Sequence, residues 1–291
     1  MDWSAEQLIH YLKNPYNIAY DIQGFYVSNL PNSDPRVSNW LLMHSIMPTI
    51  YAVGAYLSLV SITTIVSRHL PKMELLSAMR LYNISIILIC AYTMYELIVS
   101  SILIGQNFWC SPAIYSTDES AVRYARAIWL YYVSKFLEFT DTTFFVLRGK
   151  FNQVTFLHVY HHASMPLIWW VGVKWHAGGI THVGPICNSF IHVVMYSYYF
   201  LASFGARFQR YLWWKKYLTV MQLAQFHIVL IHTFLALVSE DCGYSKGVLT
   251  SQTIYMISLI GLFLNFYFQS YSAKKSNQPI RNGVRKEILI E

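Results

Sequence analysis

Residues 154–173 read VTFLHVYHHASMPLIWWVGV, a stretch of twenty residues with three histidines and no Lys, Arg, Asp or Glu. An α-helix rises about 1.5 Å per residue, so twenty residues span about 30 Å, the thickness of a bilayer's hydrocarbon core. Lipid offers no hydrogen-bond partners to an open backbone, which favours a helix there. The stretch therefore predicts a transmembrane helix that carries imidazole groups inside the membrane.

Six further apolar runs of similar length accompany this one. They cover residues 41–66, 81–105, 127–147, 184–204, 218–238 and 249–268. Charged residues make up 12% of the chain, against about 25% in a soluble domain, and hydrophobic residues make up 55%. We therefore predict an all-α integral membrane protein. Its seven-helix membrane domain would cover 41–270, between a lumenal or interfacial segment at 1–40 and a cytosolic tail at 271–291.

The basic residues are distributed unevenly between the two sides that seven spans create. The N-terminal segment and the second, fourth and sixth loops hold six Lys and Arg, whereas the other loops and the tail hold fourteen. Cytosolic loops are enriched in Lys and Arg, so the N-terminus is predicted to be lumenal and the C-terminus cytosolic. This distribution accounts for the net charge of +7 without nucleic acid as a partner.

Two of the four cysteines, Cys110 and Cys242, fall on the predicted lumenal side. An oxidising lumen permits disulfides, and we predict one between these two residues. Cys90 and Cys187 lie within apolar runs, where small hydrophobic side chains are expected.

The third apolar run contains three ionisable residues, Lys135, Glu138 and Asp141, at intervals of three. On a helix this spacing keeps them within an arc of about 120°. A charge inside the bilayer costs a few kcal/mol, so these groups should face a protein interior, where Lys135 and Glu138 can pair. These three residues either have a purely structural role, as an ion pair with a neighbouring acid, or belong to a functional site.

The neighbouring runs add polar residues to the same interior. His158, His161 and His162 are spaced i, i+3, i+4, which places all three imidazoles on one helical face. Lys135 and His161 each lie 13 residues from Arg148, a cytosolic marker, which corresponds to a depth of about 20 Å. We expect one buried polar chamber near the middle of the bilayer, open towards the cytosol. The later runs contribute Asn188, His192, Tyr196, Tyr199, Gln222 and Gln225.

Three kinds of chemistry are compatible with a chamber lined by histidines. Membrane di-iron desaturases and hydroxylases share the HxxHH pattern, but they need several such boxes and this chain has one. A seven-helix receptor or transporter would account for the spans but not for histidines clustered beside a lysine and two carboxylates. An imidazole can also act as a general base or a nucleophile in acyl transfer. The residues favour the last chemistry and leave the other two open.

Four motifs occur in a fixed order along the chain. They are Lys135-x-x-Glu138-x-x-Asp141-Thr142, His158-x-x-His161-His162, His192-x-x-Met195-Tyr196-x-Tyr198-Tyr199 and Thr219-x-x-Gln222-x-x-Gln225-Phe226. On these motifs the chain resembles the ELO family of fatty acid elongases, over about residues 30–270. No motif position departs from the family pattern. The stretches FLHVYHH and NSFIHVVMYSYY look most like the animal branch that acts on polyunsaturated and very-long-chain acyl groups.

The resemblance implies a 3-ketoacyl-CoA synthase. Such an enzyme condenses a long acyl-CoA with malonyl-CoA and releases carbon dioxide and CoA, with no metal or other cofactor. It also implies that six of the seven helices surround a narrow tunnel for the acyl chain. His161 would accept the acyl group and His192 would be a second reactive or positioning imidazole. His158 and His162 would set their orientation by hydrogen bonding.

The other motif residues have further roles in this scheme. Lys135, Asn188 or Gln222 would stabilise the oxyanion of the enolate that decarboxylation generates, and the sequence does not choose among them. Glu138 and Asp141 would hold Lys135 and the neighbouring helices. The remaining supporting residues are Tyr196, Tyr199 and Gln225.

CoA carries phosphates, so its binding site should be basic and cytosolic. The candidates are Arg148, Lys150, Lys215 and Lys216, followed by Lys274 and Lys275. Each also satisfies the positive bias of cytosolic loops, which is an alternative explanation. By resemblance the protein lies in the endoplasmic reticulum membrane, in contact with lipid. Its partners would be the other enzymes of the elongation cycle and a second copy of the chain.

Overall fold

The computed structural model describes residues 30–66, 72–113 and 115–272. Within those ranges the chain forms helices and turns and no β-strand, which confirms the predicted all-helical class. Most of the predicted N-terminal segment and of the predicted tail lies outside the described residues, as do Lys274 and Lys275. The helices are α1 Met47–Val66, α2 Leu76–Ile104, α3 Glu119–Leu137, α4 Phe139–Leu147, α5 Phe156–His176, α6 Val183–Ala202, α7 Ala206–Gln209, α8 Lys215–Val238 and α9 Lys246–Tyr267.

Three of these helices are long and apolar enough to cross a membrane. They are α2, α8 and the helix Lys246–Tyr271, which is α9 with the turn that follows it. Helix α1 contains a segment, Met47–Thr63, that is also apolar but shorter than these three helices. The remaining long helices α3, α5 and α6 contain histidines or charged residues, which lower their mean hydropathy.

The third apolar run departs from its prediction of one helix over 127–147. Helix α3 begins eight residues earlier, at Glu119, and the helix is interrupted at Glu138 before α4 begins at Phe139. At the interruption the Asp141 amide donates to the Glu138 carbonyl at 3.1 Å, a tighter turn than an α-helix makes. The hydropathy pattern placed Arg123 and Arg126 in a loop because they are charged, yet both lie within α3. The single-helix prediction is therefore wrong at its start and in its middle.

The helices enclose one main core. Helix α2 packs against α3 and α6, α8 packs against α9, and α5 lies against α1, α3 and α9. The core is rich in aromatic side chains, of which Trp170, Tyr124 and Tyr132 are fully buried. This packing turns the polar faces of α3, α5 and α6 towards one another, where the candidate site lies.

A segment before α1 closes one end of the bundle. Asp34 and Arg36 form an ion pair with 2.6 Å between Asp34 Oδ2 and Arg36 Nη2, and their side chains are only 0% and 5% exposed. Arg36 also donates to the carbonyls of Ser116, Ala121 and Ala177. One buried guanidinium thus joins the ends of α3 and α5 to the segment that precedes α1.

The same end of the bundle carries a disulfide between Cys110 and Cys242, which lie 132 residues apart in the sequence. The loop that contains Cys110 passes directly over Gly179, whose φ is +62°. A Cβ at that position would lie 2.4 Å from the Ser111 carbonyl oxygen, so no side chain fits there. The disulfide and the glycine together fix this loop against the start of α6.

The Asp34→Asn variant tests the contribution of the closing segment. It leaves the Arg36 guanidinium buried without its counter-charge, which should cost about 3–5 kcal/mol of folding stability. We expect the thermal unfolding midpoint of the detergent-purified protein to fall by about 5–10 °C. Arg207→Gln, at an exposed arginine, should leave the midpoint unchanged. Equal midpoints for the two variants would contradict a stabilising role of the Asp34–Arg36 pair.

Candidate active site

The centre of the site is the ion pair between Lys135, in the last turn of α3, and Glu138, in the break before α4. Lys135 Nζ lies 2.6 Å from Glu138 Oε1, and the side chains are 1% and 0% exposed. Lys135 also donates to Asn188 Oδ1 of α6 at 3.2 Å and lies over the ring of Tyr131 at 4.2 Å. The Tyr131 hydroxyl donates to the same Asn188 oxygen at 2.6 Å. The pair therefore ties α3 to α6.

Sequence analysis did not identify Tyr131 as part of the site. A signal was present, because Tyr131 precedes Lys135 by four residues and so lies on the same face of α3.

Two imidazoles face the Glu138 carboxylate. His192 Nδ1 lies 3.3 Å from Glu138 Oε1, and His162 Nδ1 lies 4.0 Å from Oε2. The His192 contact has the distance of an ion pair without the alignment of a hydrogen bond, and within the described residues His192 Nδ1 has no hydrogen-bond partner. Because Nδ1 of His192 faces the carboxylate, its Nε2 lies on the opposite side of the ring. Glu138 thus lies between a lysine ammonium and the histidines of α5 and α6.

The histidine motif lies in the first two turns of α5, which begins after the cap formed by Thr155. The rings of His158 and His162 lie 4.3 Å apart and those of His161 and His162 5.2 Å apart, centroid to centroid. The three imidazoles therefore share one face, as the spacing predicts. His158 Nε2 lies 2.7 Å from the Thr142 hydroxyl of α4.

A hydroxyl chain continues from His158 to α1. Thr142 Oγ1 lies 3.1 Å from the hydroxyl of Tyr56, which is buried and stacks on the ring of Phe139 at 4.3 Å. Thr142 is the last residue of the first motif, whereas the sequence pattern does not point to Tyr56. Three helices, α1, α4 and α5, therefore determine the orientation of His158.

Asp141 takes part in a separate group of hydrogen bonds. It accepts from the hydroxyl of Tyr196 at 2.5 Å, and the Tyr196 hydroxyl lies 3.5 Å from that of Tyr82 on α2. This group links α2, α4 and α6. Tyr199 lies outside it, because its side chain is 38% exposed and only its ring packs on Tyr196, at 5.9 Å.

A small cavity of about 30 Å³ borders the site. Its polar wall contains His161, Asn188 and Gln225, and its apolar wall comes from α5, α8 and α9. The apolar residues include Met165, Ile168, Trp169, Phe226, Val229 and Leu259. Gln222 does not border the cavity; its Nε2 lies 3.6 Å from Met195 Sδ. Of the four histidines in the motifs, the cavity therefore reaches only His161.

Sequence comparison with characterised proteins identifies the family. The profile described as ELO: GNS1/SUR4 family matches residues 41–279. Very long chain fatty acid elongase 4 of Macaca mulatta is 44% identical over 282 residues, 93% of this chain and 90% of that protein. Very long chain fatty acid elongase 2 of Mus musculus is 43% identical over 275 residues, 93% of each chain. The chain belongs to the ELO family.

The predicted resemblance is confirmed by these matches, including its place beside animal very-long-chain elongases. A fish relative supports the same branch. Very long chain fatty acid elongase 5 of Tachysurus fulvidraco is 42% identical over 255 residues, 87% of this chain and 86% of that protein.

The predicted CoA-binding residues lie in two places. Arg148 and Lys150 flank Gly149 just after α4, and the side chain of Lys72 lies against Gly149, with Cε 3.0 Å from where a Cβ would be. The Met73 amide donates to the Leu147 carbonyl, which holds Lys72 there. Sequence analysis did not select Lys72. The second place is the start of α8, which contains Lys215 and Lys216, the latter over the ring of Tyr217 at 4.9 Å.

The arrangement of His, Cys, Asp and Glu side chains is relevant to metal binding. In the three described ranges, no group of three or more His, Cys, Asp or Glu side chains is arranged to hold a metal ion. The histidines of α5 instead meet a threonine hydroxyl and a carboxylate that is paired with lysine.

Replacing Glu138 alone, and then Glu138 together with Lys135, separates the contribution of charge to stability from the contribution of packing. Glu138→Gln should lower the free energy of unfolding by about 3–5 kcal/mol, because it leaves a buried ammonium uncompensated. The double variant Lys135→Met with Glu138→Leu should regain most of that stability, because an apolar pair of similar size replaces two buried charges. Thermal unfolding of the purified variants measures both effects.

The matched control is Glu74→Gln, at an exposed carboxylate just before α2, which should unfold as the unmodified protein does. A double variant no more stable than Glu138→Gln would contradict the assignment of the stability loss to an unpaired charge.

Proposed function

We propose that this protein is a 3-ketoacyl-CoA synthase that condenses a long or very-long-chain acyl-CoA with malonyl-CoA. The names of its relatives support fatty acid elongation. The observation that carries the chemistry is the position of His161, whose ring borders a cavity with a polar wall and an apolar wall. This lining suits a reactive carbonyl attached to a hydrocarbon chain, and the cavity, about 30 Å³ here, must widen to hold the chain.

His161 is the proposed nucleophile. Its ring nitrogens make no hydrogen bond to any residue in the described part of the chain, whereas His158 is bonded to Thr142 and His192 faces Glu138. A neutral imidazole attacks the thioester carbonyl, forms a C–N bond and breaks the C–S bond. The leaving CoA sulfur takes up the proton that the imidazole loses. The product of this half-reaction is an acyl-imidazole and free CoA.

Malonyl-CoA completes the reaction. Loss of carbon dioxide leaves an enolate whose carbon attacks the acyl carbonyl, so that a C–C bond replaces the C–N bond. The released imidazole takes up a proton from solvent and returns to its starting state, so the condensation consumes one proton overall. No oxidant, reductant or cofactor enters this sequence, and acyl-CoA and malonyl-CoA are its substrates.

Asn188 is the donor best placed to stabilise the enolate oxyanion. Its Oδ1 already accepts from Lys135 and from Tyr131, and the residue borders the cavity. The amide nitrogen is therefore the group left to donate to a ligand. Gln222 lies away from the cavity, and the Lys135 ammonium is committed to Glu138 and Asn188. Among the three donors that the sequence left open, this geometry favours Asn188.

Glu138 acts on the reaction through His192 rather than by touching substrate. A carboxylate facing Nδ1 stabilises the tautomer that bears a proton there and leaves Nε2 as the basic nitrogen. His192 can then take a proton or hold a carbonyl at its Nε2 side. The positive charge of Lys135, 2.6 Å away, offsets part of the cost of removing the Glu138 carboxylate from water.

The membrane arrangement is part of the proposal. Helices α1, α2, α5, α6, α8 and α9, with α3 and α4 counted as one, would make seven spans, six of them around an acyl tunnel that begins at the cavity. The end with the Cys110–Cys242 disulfide would face the lumen of the endoplasmic reticulum. Lys72, Arg148 and Lys150 would then lie at the cytosolic face, where their positive charges suit the phosphates of CoA.

Intact mass spectrometry of the purified protein tests the acyl-imidazole. Incubation with a long acyl-CoA alone should add the mass of one acyl group to the chain, without malonyl-CoA. His161→Ala should form no adduct and should lose activity by at least about a hundredfold. His227→Ala, at an exposed histidine of α8, should behave as the unmodified protein. Undiminished condensation by His161→Ala would refute the scheme.

A further inference from the structure

A second cavity lies on the outer surface of the bundle, between α2 and α3. Its volume is about 540 Å³, within the usual size range of ligand sites. None of the proposed catalytic residues borders it. The side chains that matter to its chemistry are Tyr92, Glu96, Glu119, Arg123, Arg126 and Trp129.

This cavity opens where lipid should be. Helix α2 is long and apolar enough to cross a membrane, and its outer residues Leu88, Tyr95 and Ile102 are each more than half exposed. Glu96 lies eight residues before the end of α2 and Arg126 seven residues after the start of α3. Both are therefore about 10–12 Å from the helix ends, near the boundary between headgroups and hydrocarbon.

The charges that line the cavity are only partly paired. Arg123 donates to both oxygens of Glu96, at 3.0 and 3.1 Å. Arg126 and Glu119 are exposed, and neither forms an ion pair with a residue in the described ranges. They are seven residues apart on α3, so they lie on one face about 10 Å from each other. Arg126 is thus left open near the edge of the hydrocarbon, where unpaired charge is costly, and Glu119 is left open at the helix end above it.

We propose that this cavity binds the headgroup of one zwitterionic glycerophospholipid. The guanidinium of Arg126 matches the lipid phosphate, because its planar donors suit phosphate oxygens. The carboxylate of Glu119, which is exposed on the same face of α3, receives the quaternary ammonium. The two acids and two arginines cancel in charge, so a zwitterion fits this lining better than an anionic lipid. The acyl tails extend along the apolar face of α2.

The ring of Trp129 is held in place for this role. Its indole N–H donates to the Leu41 carbonyl at 3.0 Å, and its ring meets Trp40 edge to face at 5.9 Å. The wall of the cavity is therefore formed before a lipid arrives, which lowers the entropy lost on binding.

Native mass spectrometry of the delipidated full-length protein tests the site. Phosphatidylcholine added in increasing amounts should give a one-lipid adduct, and Arg126→Gln should weaken its binding by about tenfold. Arg207→Gln, at an exposed arginine near the other end of the bundle, should bind as the unmodified protein. Glu119→Gln should weaken phosphatidylcholine binding and leave phosphatidylglycerol binding unchanged.

Two further probes separate a lipid site from a simple anion site. Glycerophosphocholine and inorganic phosphate lack acyl tails and should compete only at concentrations about a hundredfold higher or more. Equal competition by inorganic phosphate would overturn the proposal. So would unchanged lipid binding by Arg126→Gln, a preference for phosphatidylglycerol, or a dimer peak that rises as lipid is removed and falls in Arg126→Gln.

Discussion

Lys135 and Glu138 form an ion pair in the interior of a membrane protein, where removing two charges from water costs several kcal/mol per ion. Partners around the pair offset much of that cost, although Glu138 Oε2 accepts no hydrogen bond within the described residues. Asn188, Tyr131 and His192 supply those partners from α3 and α6. The positions of these helices, and hence of the cavity between them, follow from the need to satisfy this one pair.

Much of the candidate site follows from local sequence. The spacing of His158, His161 and His162 fixes a shared face whatever the surroundings, because helical periodicity is a property of the backbone. The pairing of Lys135 with Glu138 follows from the cost of isolated charge in lipid. Both arguments use residues within one turn of each other, where geometry leaves little freedom.

Other features depend on contacts between distant segments and could not be predicted from a single sequence. The chain contains 23 tyrosines, and only the rotation of each helix determines that Tyr56 meets the site while Tyr199 does not. The early start of α3 was missed because Arg123 appears as a loop charge until its partner Glu96 on α2 is known. The break at Glu138 likewise serves the carboxylate's contacts with α5 and α6.

The central claim is that an acyl-CoA places its thioester carbonyl at His161 and its chain among α5, α6, α8 and α9. The most direct measurement is an electron cryo-microscopy structure of the full-length protein bound to a long-chain acyl-CoA analogue with a thioether in place of the thioester. The account predicts density for the start of the chain beside the His161 ring, with the remainder in an apolar channel that widens from the present cavity. A chain bound elsewhere, with the four imidazoles bound to metal or remote from the ligand, would contradict it.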